Sequence, residues 1–221
     1  MEMNDEMALL LILFAGFLYW VYRRSKSGGY ASDIDLKPGT HRIGEDLAPG
    51  KGDLVAVKGG GDICILEHGT KNWSHNFKLH ADSPAIPSCY RNLTLNAKDI
   101  LEINGSVELR LTPAKAIEDG EGAEISLGTY QFGVDIPPAK YNLKATAGDG
   151  QIQFYEPRAD CYSVYQDMNA TGEGKSSVYE NLLCESGSRL VVEGTLKLQL
   201  TKSKKQRGKM QAILDFLNQS P

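Results

Sequence analysis

The chain has 221 residues, 41% of them apolar and 24% charged, an ordinary globular balance with room for one large domain or two small ones. Its net charge of -4 excludes generic nucleic-acid binding, which needs a strongly basic face. The 23 glycines lie between short apolar alternations, a pattern of turns between strands rather than of helices.

Residues 7–22 read MALLLILFAGFLYWVY, an apolar run without charge. As a helix it spans about 24 Å at roughly 1.5 Å per residue, slightly short of a bilayer core. Local thinning or snorkelling by Arg23, Arg24 and Lys26 covers the difference. Tyr19, Trp20 and Tyr22 gather at the end of the run, where amphipathic rings settle among headgroups. A cleaved signal peptide would carry positive charge before the run and small residues after it. Here Glu2, Asp5 and Glu6 precede it and Arg23-Arg24 follow it, so the segment is expected to be an uncleaved single-pass anchor. Because Lys and Arg prefer the cytoplasmic side, the N-terminus is expected outside and the larger C-terminal portion in the cytoplasm.

The most informative feature is an internal repeat. The stretch from Gly39, GTHRIGED, returns from Gly128 as GTYQFGVD, an offset of 128 − 39 = 89. The offset holds without a gap: Tyr90, Asn92 and Leu93 match Tyr179, Asn181 and Leu182, and Leu101, Gly105, Leu109 and Leu111 match Leu190, Gly194, Leu198 and Leu200. Identities at glycines and alternating apolar sites are the mark of one unit used twice. Each copy alternates with period two. Leu101 and Ile103, the Asn104-Gly105 turn, then Val107, Leu109 and Leu111 predict a hairpin, and 190–200 repeats it. One face of each strand is therefore expected on a core, giving an all-β chain of two tandem small sandwich or barrel domains.

The predicted organisation is an anchor over 1–24, a tether over 25–38 and a first β repeat over 39–112. An acidic linker follows over 113–127, then a second repeat over 128–201 and a basic tail over 202–221. The linker, with Pro113, Gly120, Gly122 and the acids Glu118, Asp119, Glu121 and Glu124, is expected to be an exposed connector. The tail carries Lys202, Lys204, Lys205, Arg207 and Lys209, then Met210, Ile213, Leu214 and Leu217 at helical spacing. A short amphipathic helix is expected there, and the basic stretch suits anionic lipid.

Candidate chemistry is sparse. Cys64, Cys89, Cys161 and Cys184 fall at unmatched positions in the two copies, which favours free thiols over a duplicated disulfide framework, although each copy holds one potential pair. His68, His75 and His80 cluster in the first copy and could turn towards a metal, but their spacing fits no ligand motif and the second copy has Pro157, Val164 and Asn169 instead. Gly59-Gly60-Gly61 lacks the Lys-Ser/Thr of a phosphate loop and reads as a hairpin turn. Asp46 and Asp135 stand before turns, where a carboxylate can bond backbone amides. Trp73, Phe77, Tyr155, Tyr162 and Tyr165 occupy matching regions; most are expected in the core, and an exposed subset could form a sugar- or peptide-binding face.

The repeat starts resemble a module of bacterial, largely Gram-positive, membrane-anchored proteins and lipoproteins of uncharacterised function, with the approximate signature G-x-Y-x-V-G-x-D-I-P-x-G-x-Y. The second copy matches at Gly128, Tyr130, Gly133, Asp135, Ile136, Pro137 and Tyr141, with Phe132 for Val and Ala139 for Gly. The first keeps Gly39, Gly44, Asp46 and Gly50, but has His41 and Gly52 for the two tyrosines and Ala48 for Pro. The resemblance implies a membrane-tethered all-β module and supplies no catalytic residues.

The resulting expectation is a non-enzymatic, single-pass, membrane-anchored binding or scaffolding protein. No catalytic, cofactor or metal residues are assigned, and its partners are a membrane and a protein or glycan ligand. Two alternatives stand beside it: a metal sensor or metal-dependent enzyme built on the histidines, and an extracytoplasmic envelope or adhesion element.

Overall fold

The computed structural model describes residues 29–69 and 73–203. The expected anchor over 1–24, the start of the tether, and the tail from 204 with its amphipathic segment lie outside them. No helix among the described residues is long and apolar enough to cross a membrane. The described chain is all-β and builds several sheets. It divides into two compact units: one runs to Lys115 and includes Leu127–Thr129, the other comprises Ala116–Ser126 and the chain from Tyr130 onward.

In the first unit the strands are β1 (Ile34–Leu36), β2 (Gly39–Arg42), β3 (Gly50–Lys58), β4 (Gly60–Leu66), β5 (Trp73–His80), β6 (Cys89–Leu95), β7 (Ile100–Gly105) and β8 (Glu108–Pro113). Four pair in the order β1-β8-β3-β6 and four in the order β2-β7-β4-β5. Period-two alternation sends Leu54, Leu93, Leu109 and Leu111 from one sheet and Ile63, Ile65, Leu101 and Ile103 from the other into a shared core, each 2% exposed or less. Each such side chain contributes roughly 1.5–3 kcal/mol through burial.

The second unit carries β9 (Glu124–Ile125), β10 (Gly128–Gln131, counted with this unit from Tyr130), β11 (Ala139–Ala147), β12 (Asp149–Tyr155) and β13 (Val164–Asn169). It continues with β14 (Val178–Cys184), β15 (Arg189–Gly194) and β16 (Lys197–Lys202). Its sheet orders are β14-β11-β16-β9 and β10-β15-β12-β13. Phe132, Tyr141, Leu143, Ile152, Leu190, Val192, Leu198 and Leu200 fill its core.

Pairings in the two units agree at the sequence offset. Leu54↔Leu111 and Ile63↔Ile103 correspond to Leu143↔Leu200 and Ile152↔Val192. The bulge between Gly52 and Leu54 corresponds to that between Tyr141 and Leu143. Both bulges are closed the same way: Asp53 Oδ1 accepts the Asn92 amide and Asn142 Oδ1 the Asn181 amide, each at 2.8 Å. Asn92 and Asn181 sit at φ 55° and 62°, a left-handed conformation that Asn tolerates better than most residues.

The expected boundaries need correction. The tether contains β1, and its Tyr30 and Leu36 are buried. The acidic segment over 113–127 contains β9 and buries Ile125 and Leu127, so it is not an exposed connector. Leu36 pairs with Leu109 and Ile125 with Leu198, again at the offset of 89. Lys202, assigned above to the basic tail, closes β16; its ammonium donates to Asp119 at 2.8 Å and its backbone amide to Glu121 at 2.5 Å. The acids of this segment therefore serve the last strand. Runs of two or three residues are too short to show a period, which is why composition misled.

Tyr30 explains the missing motif tyrosine at Gly52. In the second unit Tyr141 is fully buried and its hydroxyl donates to the Pro137 carbonyl at 2.9 Å. In the first, Tyr30 donates to the Ala48 carbonyl at 2.7 Å, and Ala48 stands where Pro137 does. A Cβ on Gly52 would lie 2.9 Å from Tyr30 Cδ2, so the ring uses the room the glycine leaves. Burial pushes the Tyr30 phenol up to about 12 and raises that of Tyr141, keeping both as protonated donors.

Candidate ligand-binding face

Strands β15, β12 and β13 present one solvent face in the second unit. Alternation points Ile152, Phe154, Leu190 and Val192 inward. The residues between them, Gln151, Gln153 and Tyr155 on β12 with Arg189, Val191 and Glu193 on β15, therefore point outward. Register sets them in rows: Tyr155↔Arg189, Gln153↔Val191 and Gln151↔Glu193. On the far side Gln153 faces Tyr165 and Gln151 faces Asp167. Tyr162 joins from the loop before β13, with Ser163 held there by its amide on the Phe154 carbonyl at 2.8 Å.

The rings form a continuous group. Tyr155 and Tyr162 meet edge to face with centroids 6.2 Å apart, and Tyr162 and Tyr165 lie 5.7 Å apart. Both distances fall within the range of favourable aromatic pairs. Tyr162 is 52% and Tyr165 49% exposed, so substantial ring surface is open to a ligand. The Arg189 guanidinium stands over Tyr155, its Cζ 4.2 Å from the ring centroid, within cation–π range.

A hydrogen-bond chain holds this surface in place. Tyr155 Oη donates to Gln153 Oε1 at 2.8 Å, and Tyr165 Oη donates to Gln151 Oε1. Both amides donate onward to Glu193 Oε2, that of Gln153 at 3.4 Å. Each phenol thus bonds one amide, and the two amides converge on one carboxylate, which limits rotation of the tyrosines. Ordered rings, an amide ladder, a carboxylate and a guanidinium can stack on an apolar ring face and hydrogen-bond its polar rim.

The first unit carries other chemistry at the same positions: Leu66 for Tyr155, Cys64 for Gln153, Asp62 for Gln151, Asn76 for Tyr165, Ile100 for Arg189 and Asn104 for Glu193. Its polar contacts on this face include Cys64 Sγ to Asn76 Oδ1 at 3.7 Å and Lys78 to Asp62 at 3.6 Å. Phe77, expected among the aromatics, packs at the core against Tyr90 with centroids 4.4 Å apart. The side chain of Trp73 lies outside the described residues.

The other candidates do not form a site. His68 lies in the 3-10 turn Glu67–Gly69. His75 packs against Tyr90, with ring centroids 5.9 Å apart, and His80 accepts the Asp82 amide at 3.1 Å. Among the described residues no three His, Cys, Asp or Glu side chains converge as metal ligands. All four cysteines are unpaired. Burial raises the Cys89 thiol to about 11 and that of Cys184 to about 12, which disfavours the nucleophilic thiolate. Asp46 and Asp135 accept the amides of Arg42 and Gln131, each at 2.8 Å, as turn-holding groups. Gly61 lies against the β7–β8 turn, where a Cβ would collide with the Asn104 carbonyl.

A cleft of about 430 Å³ opens beside Arg42, Glu45, His68 and Lys98. The buried Asp99 at its base is spent on structure, with Oδ1 accepting the His68 amide at 3.0 Å and Oδ2 the Asn96 amide at 2.7 Å. No protein-family model matches the chain, and no curated protein matches it.

Proposed function

We propose that the chain is a non-enzymatic, membrane-anchored saccharide-binding protein made of two copies of one β module, with the ligand face on the second copy. The observation that carries this is the ordered group Tyr155, Tyr162 and Tyr165 beside Gln151, Gln153, Glu193 and Arg189. A pyranose offers C–H faces to exposed rings and hydroxyls to amide and carboxylate groups. Duplication is supported by the shared offset of 89 in sequence, bulges and strand pairing. The residues the copies share hold turns and cores, which favours a binding role over catalysis and fits the resemblance to membrane-tethered modules.

The anchor is the apolar run 7–22, with the modules on the cytoplasmic side given by Arg23, Arg24 and Lys26. Lys204, Lys205, Arg207 and Lys209 are the contact for anionic lipid. The exposed Cys161 reports the side directly. It is expected to resist a membrane-impermeant thiol reagent until cells are lysed; labelling in intact cells would move the same face to the envelope side.

Binding is tested with the full chain in detergent against a panel of immobilised oligosaccharides. Tyr162→Ala and Tyr165→Ala should each weaken retention at least about fivefold, stacking being worth on the order of 1–3 kcal/mol, with unfolding temperature little changed. Absence of binding across the panel, or full binding by the double variant, would refute the assignment.

A further inference from the structure

The two units differ at one sheet edge. In the first, the outer edge of β6 is covered by Leu127–Thr129, which belongs to that unit. Gly128 pairs in parallel with Arg91, the Arg91 amide donates to the Leu127 carbonyl at 2.9 Å, and Tyr90 Oη bonds Thr129 Oγ1 at 3.0 Å. The approach requires glycine, because a Cβ on Gly128, at φ 152°, would lie 2.5 Å from the Arg91 carbonyl oxygen.

In the second unit β14 occupies the place of β6, and among the described residues no strand lies on its outer side. It repeats the receiving residue: Tyr179 stands where Tyr90 does. Val178 and Leu183 beside it are 38% and 60% exposed. An uncovered edge strand with exposed apolar residues invites pairing.

The covering residues also recur in β2. Gly39 and Thr40 of β2 stand where Gly128 and Thr129 do, and β2 is the end strand of its own sheet. Gly39 keeps the unusual backbone of Gly128, at φ 141°, but no atom of the described residues lies within 4 Å of where its Cβ would be. A glycine shaped for close approach, with no described residue approaching it, has room to receive another strand. Charge agrees: Glu180 of β14 replaces Arg91, and Lys37 lies two residues before Gly39, in the bend that leads from β1 into β2.

We propose that a second copy of this chain is the partner. Its segment 37–40 adds in parallel to β14, with Gly39 on Glu180, Thr40 Oγ1 on Tyr179 Oη, and Lys37 paired with Glu180. The contact is heterologous, so each copy offers one donor edge and one acceptor edge and assembly proceeds head to tail. It is independent of the saccharide face on β12, β13 and β15.

Lys37 and Glu180 are exposed and form no ion pair among the described residues, so reversing either charge should leave the fold intact. The test is sedimentation velocity of the full chain in detergent across a concentration series. The parent should grow with concentration through dimer to larger species. Lys37→Glu alone and Glu180→Lys alone should each weaken association at least about tenfold. An equimolar mixture of these two variants should associate again, because each supplies the charge the other lacks. A monomeric parent, single variants that associate like the parent, or a mixture that stays dissociated would each overturn the proposal. Association driven by the anchor or the micelle gives no such charge pattern.

Discussion

The two units place a tyrosine ring in the same role by different routes. In the second, Tyr141 belongs to β11 and reaches the Pro137 carbonyl from within its own sheet. In the first, strand position 52 is a glycine, and the ring comes from Tyr30, outside the repeated sequence. The role lies in the space and the carbonyl, and either chain position can fill it. Their other faces diverge more freely: the outer surface of β12, β13 and β15 is a tyrosine and amide surface, whereas β4 and β5 carry Asp62, Asn76 and Lys78 at the corresponding positions, with Cys64 among them buried. Core chemistry is constrained by packing. Solvent faces are free to acquire a ligand.

The strongest way to break this equivalence is to remove the rings. Tyr141→Ala should cost about 3–5 kcal/mol in equilibrium urea unfolding of the full chain, and Tyr30→Ala slightly less, about 2–4 kcal/mol. Restoring the motif tyrosine by Gly52→Tyr should fail to rescue Tyr30→Ala, because a Cβ at that position would lie 2.6 Å from the Thr112 carbonyl oxygen. If Tyr30→Ala were silent, the correspondence between the rings would be wrong.

A smaller effect should come from the bulge. Asp53 is 3% exposed, accepts the Asn92 amide and pairs with Arg91 at 2.6 Å, whereas the second unit has Asn142 and Glu180. Asp53→Asn should cost about 1–3 kcal/mol, and Arg91→Glu should also destabilise by setting two carboxylates together. Combining them reproduces the second unit's pair and should recover part of the loss, a coupling that a double-mutant cycle reads directly. Strict additivity would show that the ion pair does not couple these positions.

The smallest change is a gain. Asn92 Oδ1 is buried without a partner among the described residues, whereas Asn181 Oδ1 accepts from Ser203 Oγ at 2.7 Å. Position 114, at the same offset from Asn92, is alanine. Ala114→Ser should stabilise the first unit by about 1 kcal/mol, seen as a raised urea midpoint with unchanged slope; no change would mean the hydroxyl does not reach the orphan oxygen.

Much of this fold was legible from alternation and turns. Leu101 to Leu111 and Leu190 to Leu200 form the alternating strands their period predicts, but not the expected hairpins. β7 pairs with β2 and β4 whereas β8 pairs with β1 and β3, and β15 and β16 likewise lie in different sheets, so each turn crosses between sheets. Asp46 and Asp135 accept backbone amides, those of Arg42 and Gln131. Strands β1 and β9 were hidden because they are too short to show a period, and the acids around β9 read as solvent-loving although Asp119 and Glu121 bind Lys202. Of the candidate ligand face, the tyrosines could be named in advance, but Gln151, Gln153, Arg189 and Glu193 could not. Their signal is their cross-strand position, which requires the register.

Local chemistry thus determined the strands and the turns, because period, glycine conformation and carboxylate–amide bonding act over a few residues. Tertiary structure alone decided which ring fills the place opposite Ala48, which polar side chains share a face with Tyr155 and Tyr165, and which edge of each unit is left open. Those outcomes depend on register and on contacts between residues far apart in the chain, and only the packed sheets supply them.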